Sequence, residues 1–243
     1  MKKLLIIILA ITTINLSAQT AVEIIEKVDK NMSAENRVVK SSMTIHGKRN
    51  SRTMTSKSYS VGDKQSFTEY LSPAREKGTK MLKLEDKLWI YSPSTDRTIQ
   101  ISGHMLRQSV MGSDFSYEDM MEDRKLLDIY NAKIIGEEEI DGRKVIVLEL
   151  IAKVDDATYN SRKTWIDAER FVPLKEELFA KSGQLLKRTS LSDIKNIDGR
   201  WFPMKMIYKD MLKKGDGTEM HFTDIKFNQK IPKYIFTKAA LKQ

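Results

Sequence analysis

His46, His104 and His221 are the only imidazoles in the chain, and there is no cysteine. The three histidines lie far apart, with no His-x-x-x-His step and no thiolate to join them at a zinc site. Gly112-Ser113-Asp114 does not fit the Gly-x-Ser-x-Gly nucleophile elbow, since Met111 and Phe115 stand where its glycines would. Neither a Walker loop nor a dinucleotide fingerprint is present. Carboxylates cluster at Glu137-Glu138-Glu139 and Glu176-Glu177, among lysines in strand or turn contexts, where a solvated face is the expected role. An acid–base pair of carboxylates would have to meet in space, which spacing does not reveal. The chain is therefore expected not to be an enzyme and to need no metal or cofactor.

A different chemistry is suggested by residues 103–123. This stretch carries Met105, Met111, Met120 and Met121 with Leu106, Val110 and Phe115, and has glycines at 103 and 112. Methionine is flexible and polarizable, and suits a surface that must fit variable apolar shapes. Two readings stand side by side: a glycine-hinged cover over an apolar cavity, or ordinary core filler under a long loop.

The elements that must position this stretch are mostly strands. Ala21 to Met32 reads as an amphipathic helix, with Val22, Ile25, Val28 and Met32 at three- and four-residue steps. After it the period falls to two, and turn signals such as Gly62-Asp63, Asp141-Gly142 and Asp198-Gly199 join successive runs. The expected fold is mainly β with a few helices, an antiparallel meander of about eleven strands in one domain. So large a sheet must curl, and its concave face needs cover. The first helix and residues 103–123 are the available covers. Complete filling would make a plain core, and partial filling would leave a ligand cavity. Phe202, Met204, Met206 and Tyr208 form an alternating stripe assigned to the concave face, together with Met43 and Ile45, Leu82 and Leu84, and Ile146, Leu148 and Leu150. A one-residue slip would reverse any of these. Leu88-Trp89-Ile90-Tyr91 and Val145-Ile146-Val147-Leu148 are apolar on both faces, so the convex side also needs cover or a partner.

The address is written in the first eighteen residues. Lys2 and Lys3, the apolar run Leu4 to Ile11 and the small pair Ser17-Ala18 have the build of a cleaved signal peptide. The run is shorter than the roughly 20 apolar residues of a membrane span. Residues 1–18 are thus expected to leave, and 19–243 to form the single domain. Lipid attachment at the cut is closed off by the absence of cysteine. The formal net charge of +9 falls to +7 once Lys2 and Lys3 go, spread along the chain without a basic–aromatic block. No nucleic-acid groove is expected. A monomer is.

Residues 73–119 carry a more specific pattern. Lys77-Gly78-Thr79-Lys80-Met81-Leu82, Leu88-Trp89-Ile90-Tyr91-Ser92-Pro93, Arg97-Thr98-Ile99-Gln100-Ile101-Ser102-Gly103 and Met111-Gly112-Ser113-Asp114-Phe115-Ser116-Tyr117-Glu118-Asp119 follow one another. With Trp165-Ile166-Asp167, Pro173-Leu174-Lys175 and Asp198-Gly199-Arg200-Trp201-Phe202-Pro203, they resemble the outer-membrane lipoprotein-sorting (LolA-like) family across nearly all of the mature chain. The resemblance implies an unclosed antiparallel β-barrel with a helical lid, in the periplasm of a bacterium with two membranes. It implies a cavity for lipid or lipoprotein acyl chains, for transport between membranes, with an inner-membrane transporter or an outer-membrane acceptor as partner. The candidate cavity and lid residues are Met43, Ile45, Leu82, Leu84, Trp89, Tyr91, Met105, Leu106, Met111, Phe115, Ile146, Leu148, Leu150, Phe202, Met204, Met206 and Tyr208. The rival reading is a periplasmic adaptor or sensor that binds protein beside a membrane exporter. In the motif at 112–119, Asp114 or Ser113 is expected to cap a helix running through Glu118 and Met121.

Overall fold

The computed structural model describes residues 19–122 and 124–243, so the expected leader lies outside the described residues. A helix, α1 (Ala21–Met32), opens the fold. Thr20 starts it through a capping box: its hydroxyl accepts from the Glu23 N–H at 3.2 Å, and the Glu23 carboxylate accepts from the Thr20 N–H at 3.0 Å. The face it buries is Ala21, Ile24, Ile25 and Val28. Val22, expected on that face, is 45% exposed, because the buried stripe is centred on the adjacent pair Ile24-Ile25.

Six strands follow: β1 (Asn36–His46), β2 (Ser51–Val61), β3 (Gln65–Ser72), β4 (Lys80–Leu84), β5 (Lys87–Ser92) and β6 (Arg97–Ile101). The chain then crosses the sheet in short turns, including α2 (Tyr117–Met121) and α3 (Leu126–Ile129). Seven more strands complete it: β7 (Tyr130–Ile140), β8 (Arg143–Ala152), β9 (Ser161–Asp167), β10 (Pro173–Phe179), β11 (Leu185–Ile197), β12 (Arg200–Asp210) and β13 (Gly217–Phe227). All thirteen lie in one antiparallel sheet, ordered 6-5-4-3-2-1-13-12-11-10-9-8-7. The first and last strands meet in the middle, and β6 and β7 are unpaired edges, so the sheet curls without closing. Among the described residues the count is thirteen, not about eleven, because every strand-like run pairs as a strand of its own. Two hairpins show why the turns were legible: Asp141-Gly142 and Asp198-Gly199 both take positive φ at both residues, the type I′ geometry that suits a tight twisted hairpin.

Register sorts the side chains. Arg37, Val39, Ser41, Met43 and Ile45 share the concave face of β1, and their partners put Met54, Ser56, Ser58 and Ser60 beside them on β2. Across β3, Thr68 pairs with Met81 and Phe67 with Leu82. Met81 therefore looks inward, while Leu82 and Leu84 look outward, and Trp89 and Tyr91 follow Leu82. Here the expected face is reversed. Both faces of β4 and β5 are apolar, so alternation alone could not choose between them. What covers the convex side is the C-terminal tail, whose Ile235, Phe236, Ala240 and Leu241 pack on Phe67, Leu82, Leu84, Trp89 and Tyr91.

The concave face has two covers. Helix α1 packs on Ile129, Tyr130, Leu148, Leu150 and Ile166 at the β7–β9 end. Residues 103–121 pack on Met43, Met54, Tyr70, Met81, Leu88 and Ile101 at the β1–β6 end. No helix among the described residues is long and apolar enough to cross a membrane.

Candidate functional site

Between these covers the concave face is left unfilled. The gap is a chamber of about 310 Å³. Val110, Phe115 and Met120 of the crossing segment form one side, with Met43, Tyr70, Phe202, Met220 and Phe222 of the sheet. The floor is made of Ser41, Ser56, Ser58 and Thr68. Those hydroxyls spend their hydrogen bonds on each other, Ser41 with Ser56 at 3.1 Å and Ser58 with Thr68 at 2.8 Å. A floor of mutually satisfied hydroxyls asks little of a ligand, and its small side chains are the reason the space exists. Where β2 changes to Met54 and β3 to Tyr70, the concavity is filled.

Two further spaces adjoin the chamber. Arg37, Ser60, Ser66 and Met120 line both it and an open cleft of about 700 Å³ beside α1, α3 and the β2–β3 turn. That cleft is charged, with Glu26, Asp29, Asp63, Glu122 and Asp128 facing Lys30, Arg37, Lys83, Arg124 and Lys125. Lys83 is held by the carbonyls of Asp63 at 2.9 Å and Met121 at 3.2 Å. On the other side Phe115 stacks on Tyr208, with centroids 4.1 Å apart and rings 11° from parallel. This stack divides the chamber from a polar pocket of about 170 Å³ lined by Asp119, Tyr159, Arg162, Glu176, Thr189 and Tyr208. Burial and then the Asp119 charge push the Tyr208 phenol far above its ordinary range, so it stays protonated as a donor. Arg162 lies 5.2 Å from the Tyr130 ring centroid and donates to the Tyr130 hydroxyl at 3.2 Å.

The crossing segment is pinned by polar contacts. The Asp114 carboxylate accepts from the Thr218 hydroxyl at 2.8 Å and from the Asp210 N–H at 2.9 Å. The Lys187 ammonium donates to the Asp114 carbonyl at 2.7 Å and sits 3.5 Å from the carboxylates of both Asp119 and Asp210. Lys213 donates to the Ser113 carbonyl at 2.7 Å, and Arg52 donates to the Met111 carbonyl. Asp114 is thus a tie to β12 and β13, not the expected helix cap. Ser116 caps α2 instead: its hydroxyl accepts from the Asp119 N–H at 3.1 Å, and Asp119 reaches back to the Ser116 N–H at 2.8 Å. The capping residue must stand three before the carboxylate that answers it, and Ser116 does.

Residues 62–243 match a family model described as “-like: Uncharacterized protein”. A LolA superfamily protein from Nitrosomonas europaea superposes with a TM-score of 0.75 at 28% identity, covering 92% of this chain and 100% of the other. The chain belongs to this LolA-like family. An outer membrane lipoprotein-sorting protein domain from Vibrio parahaemolyticus shares the fold, with a TM-score of 0.79, 24% identity, and 92% and 98% of the two chains covered. So does a DUF1329 family protein from Desulfovibrio piger, with a TM-score of 0.81, 23% identity, and 90% and 96% covered. No curated protein sequence matches the chain.

In this LolA-like sheet the expected residues divide into groups. Met43, Phe115 and Phe202 line the chamber. Met206 and Tyr208 line the polar pocket, with Phe115 between the two. Met105, Leu106 and Met111 of the crossing segment pack in the same cluster as Ile45, beside the chamber. Ile146, Leu148 and Leu150 lie beneath α1, and Met204 packs with Phe202, Ile225 and Phe227. Leu82, Leu84, Trp89 and Tyr91 are on the opposite face, under the tail. The sequence reading missed Arg37, Val39, Tyr70, Met220, Phe222 and the hydroxyl floor. The signal for the floor was present in the alternation Ser56-Lys57-Ser58-Tyr59-Ser60, where every second residue is small. The three histidines do not converge: His46 contacts Ser51 at 3.2 Å, and His221 pairs in register with Ser42, on the convex side. Among the described residues no group of three His, Cys, Asp or Glu side chains could hold a metal ion.

Proposed function

We propose that the protein is a periplasmic carrier, exported by its leader, that holds acyl chains of lipids or lipoproteins between its concave sheet and the 103–121 segment. The observation that carries this reading is the unfilled chamber: a mostly apolar wall over a floor whose hydroxyls are already paired, opening toward a charged cleft. Burial of an acyl chain there gains about 0.8 kcal/mol per CH₂. At about 30 Å³ per small group, a chamber of about 310 Å³ accommodates one chain of roughly ten carbons. Longer or multiple chains, as on a lipoprotein, require the crossing segment to lift. The likeness to the lipoprotein-sorting domain of Vibrio parahaemolyticus supports the assignment of ligand class. Release would follow from a stronger acceptor or from lifting of the segment.

The test is native mass spectrometry of the mature protein isolated from its own envelope, with organic extraction of the bound material. A stoichiometric lipid or acylated peptide is expected. Protein that is free of ligand and takes up neither phospholipid nor lipoprotein would overturn the carrier reading.

A further inference from the structure

Arg37 stands at the boundary between the apolar chamber and the charged cleft, and lines both. It is the second residue of β1, in register with Ser60 on one side and Phe227 on the other. Its hydrogen bonds go to neutral oxygens, the Ser60 hydroxyl at 3.1 Å and the Met32 carbonyl at 3.5 Å. No carboxylate among the described residues forms an ion pair with it. Arg52, Arg124, Arg143 and Arg188, by contrast, each pair with a carboxylate. Burial pulls the Arg37 pKa below that of a free guanidinium, and Asp63 opposes this from a distance. A partly buried cation with unused donors is costly, and an anion that completes it recovers that cost.

Among the described residues the cleft is lined by five acidic and five basic side chains, so these lining charges balance and give no net pull on an anion. Of the basic side chains lining the cleft, Arg37 is the one that also lines the chamber. Its fork lies at the chamber's mouth, where the head of a chain inserted tail-first would come to rest.

Resting on the carrier reading, we infer that the ligand is a single-chain anionic amphiphile, its tail in the chamber and its carboxylate or phosphate head on Arg37. The guanidinium offers the planar, two-pronged donor set that both oxyanion heads fit. The tail supplies about a fourfold gain in affinity per methylene until the chamber is full at roughly ten carbons.

The experiment is titration calorimetry of the mature protein with decanoate, decyl phosphate, 1-decanol and inorganic phosphate. Decanoate and decyl phosphate are expected to bind about tenfold or more tighter than 1-decanol, and their ranking identifies the preferred head. Arg37→Met should bring the three chains to similar affinity, and Arg37→Lys should recover part of the difference. A thermal melt checks that each variant is folded. If Arg37→Met does not fold, the wild-type comparison of decanoate with 1-decanol still decides. Equal binding of 1-decanol and decanoate would overturn the head anchor and leave the chamber reading standing. Inorganic phosphate binding as tightly as decyl phosphate would overturn it in favour of a free-anion site. Failure of all three chains to bind would bring down the carrier reading itself.

Discussion

The two covers of the concave face are attached by different physics. Helix α1 is held by apolar burial: Ile24, Ile25, Leu148 and Leu150 are at most 1% exposed. The 103–121 segment has no regular element longer than five residues and is tied down by Asp114, Lys187, Arg52 and Lys213. Apolar packing is non-directional and is lost only as the core opens. A set of hydrogen bonds to a few carbonyls and carboxylates can be exchanged group by group for water. Positive φ at Gly103, Met111 and Gly112 marks where the segment bends. On the carrier reading proposed above, one cover is therefore part of the core, and the other, which also packs on Met43, Met54 and Met81, is a lid held by a polar latch.

The comparison breaks first at Ile25. It is 1% exposed within the α1 cluster. Ile25→Ala should cost about 3 kcal/mol of global stability, from lost burial plus the cavity left behind. A urea melt should show a lower midpoint with an unchanged slope. Acyl-chain affinity of the folded fraction should stay at the wild-type value, because no chamber wall has moved. A loss below 1 kcal/mol would mean that α1 is not core but a second lid.

How much of this contrast was legible follows the range of the contacts. Helix α1 was read with its correct bounds because its 3.6-residue period is local. Its buried face was read with Val22 where the structure buries Ala21 and Ile24, because two adjacent apolar residues share the stripe. The lid was recognised as a break in alternation, but its latch was not: Asp114 meets Thr218 across 104 residues, and Lys187 meets Asp114 across 73. The same distance hid the tail, so Leu82, Leu84, Trp89 and Tyr91 were placed inside when Leu241 and its neighbours cover them outside. The chamber was hard to see for another reason. It is made by small side chains, and the sequence reading looked for large apolar ones. Ser56, Ser58 and Ser60 are small and polar, yet they point inward and leave room.

The latch gives the next test. Asp114 is 6% exposed and satisfies both the Thr218 hydroxyl and the Asp210 N–H. Asp114→Ala leaves these donors unpaired and should cost about 2 kcal/mol. Its distinctive effect is local: amide exchange should accelerate across residues 103–121 while β7–β9 keep their protection. Asp114→Asn retains one acceptor and should fall between the two. Uniform acceleration across both regions would show that lid and core open together and would remove the distinction drawn here.

The smallest effect is expected at Asp29, near the C-terminal end of α1, where the apolar cover meets the charged cleft. Burial raises the pKa of its carboxyl, with Lys125 opposing and Asp63, Glu26 and Asp128 reinforcing. A raised folded-state pKa means that the folded protein binds this proton more tightly than the unfolded chain does. At neutral pH the charged carboxylate is therefore a liability, and the negative end of the helix dipole adds to it. Asp29→Asn should stabilise the protein by about 0.5 kcal/mol at pH 7. As pH falls through the raised pKa, the wild-type carboxyl takes up its proton and the advantage of the variant should vanish. Paired melts of wild type and variant, from neutral pH down into the carboxylate range, follow that convergence. A variant advantage that persisted at low pH would place its origin in packing instead of charge, and would make the cleft end of α1 as apolar in character as the face beneath it.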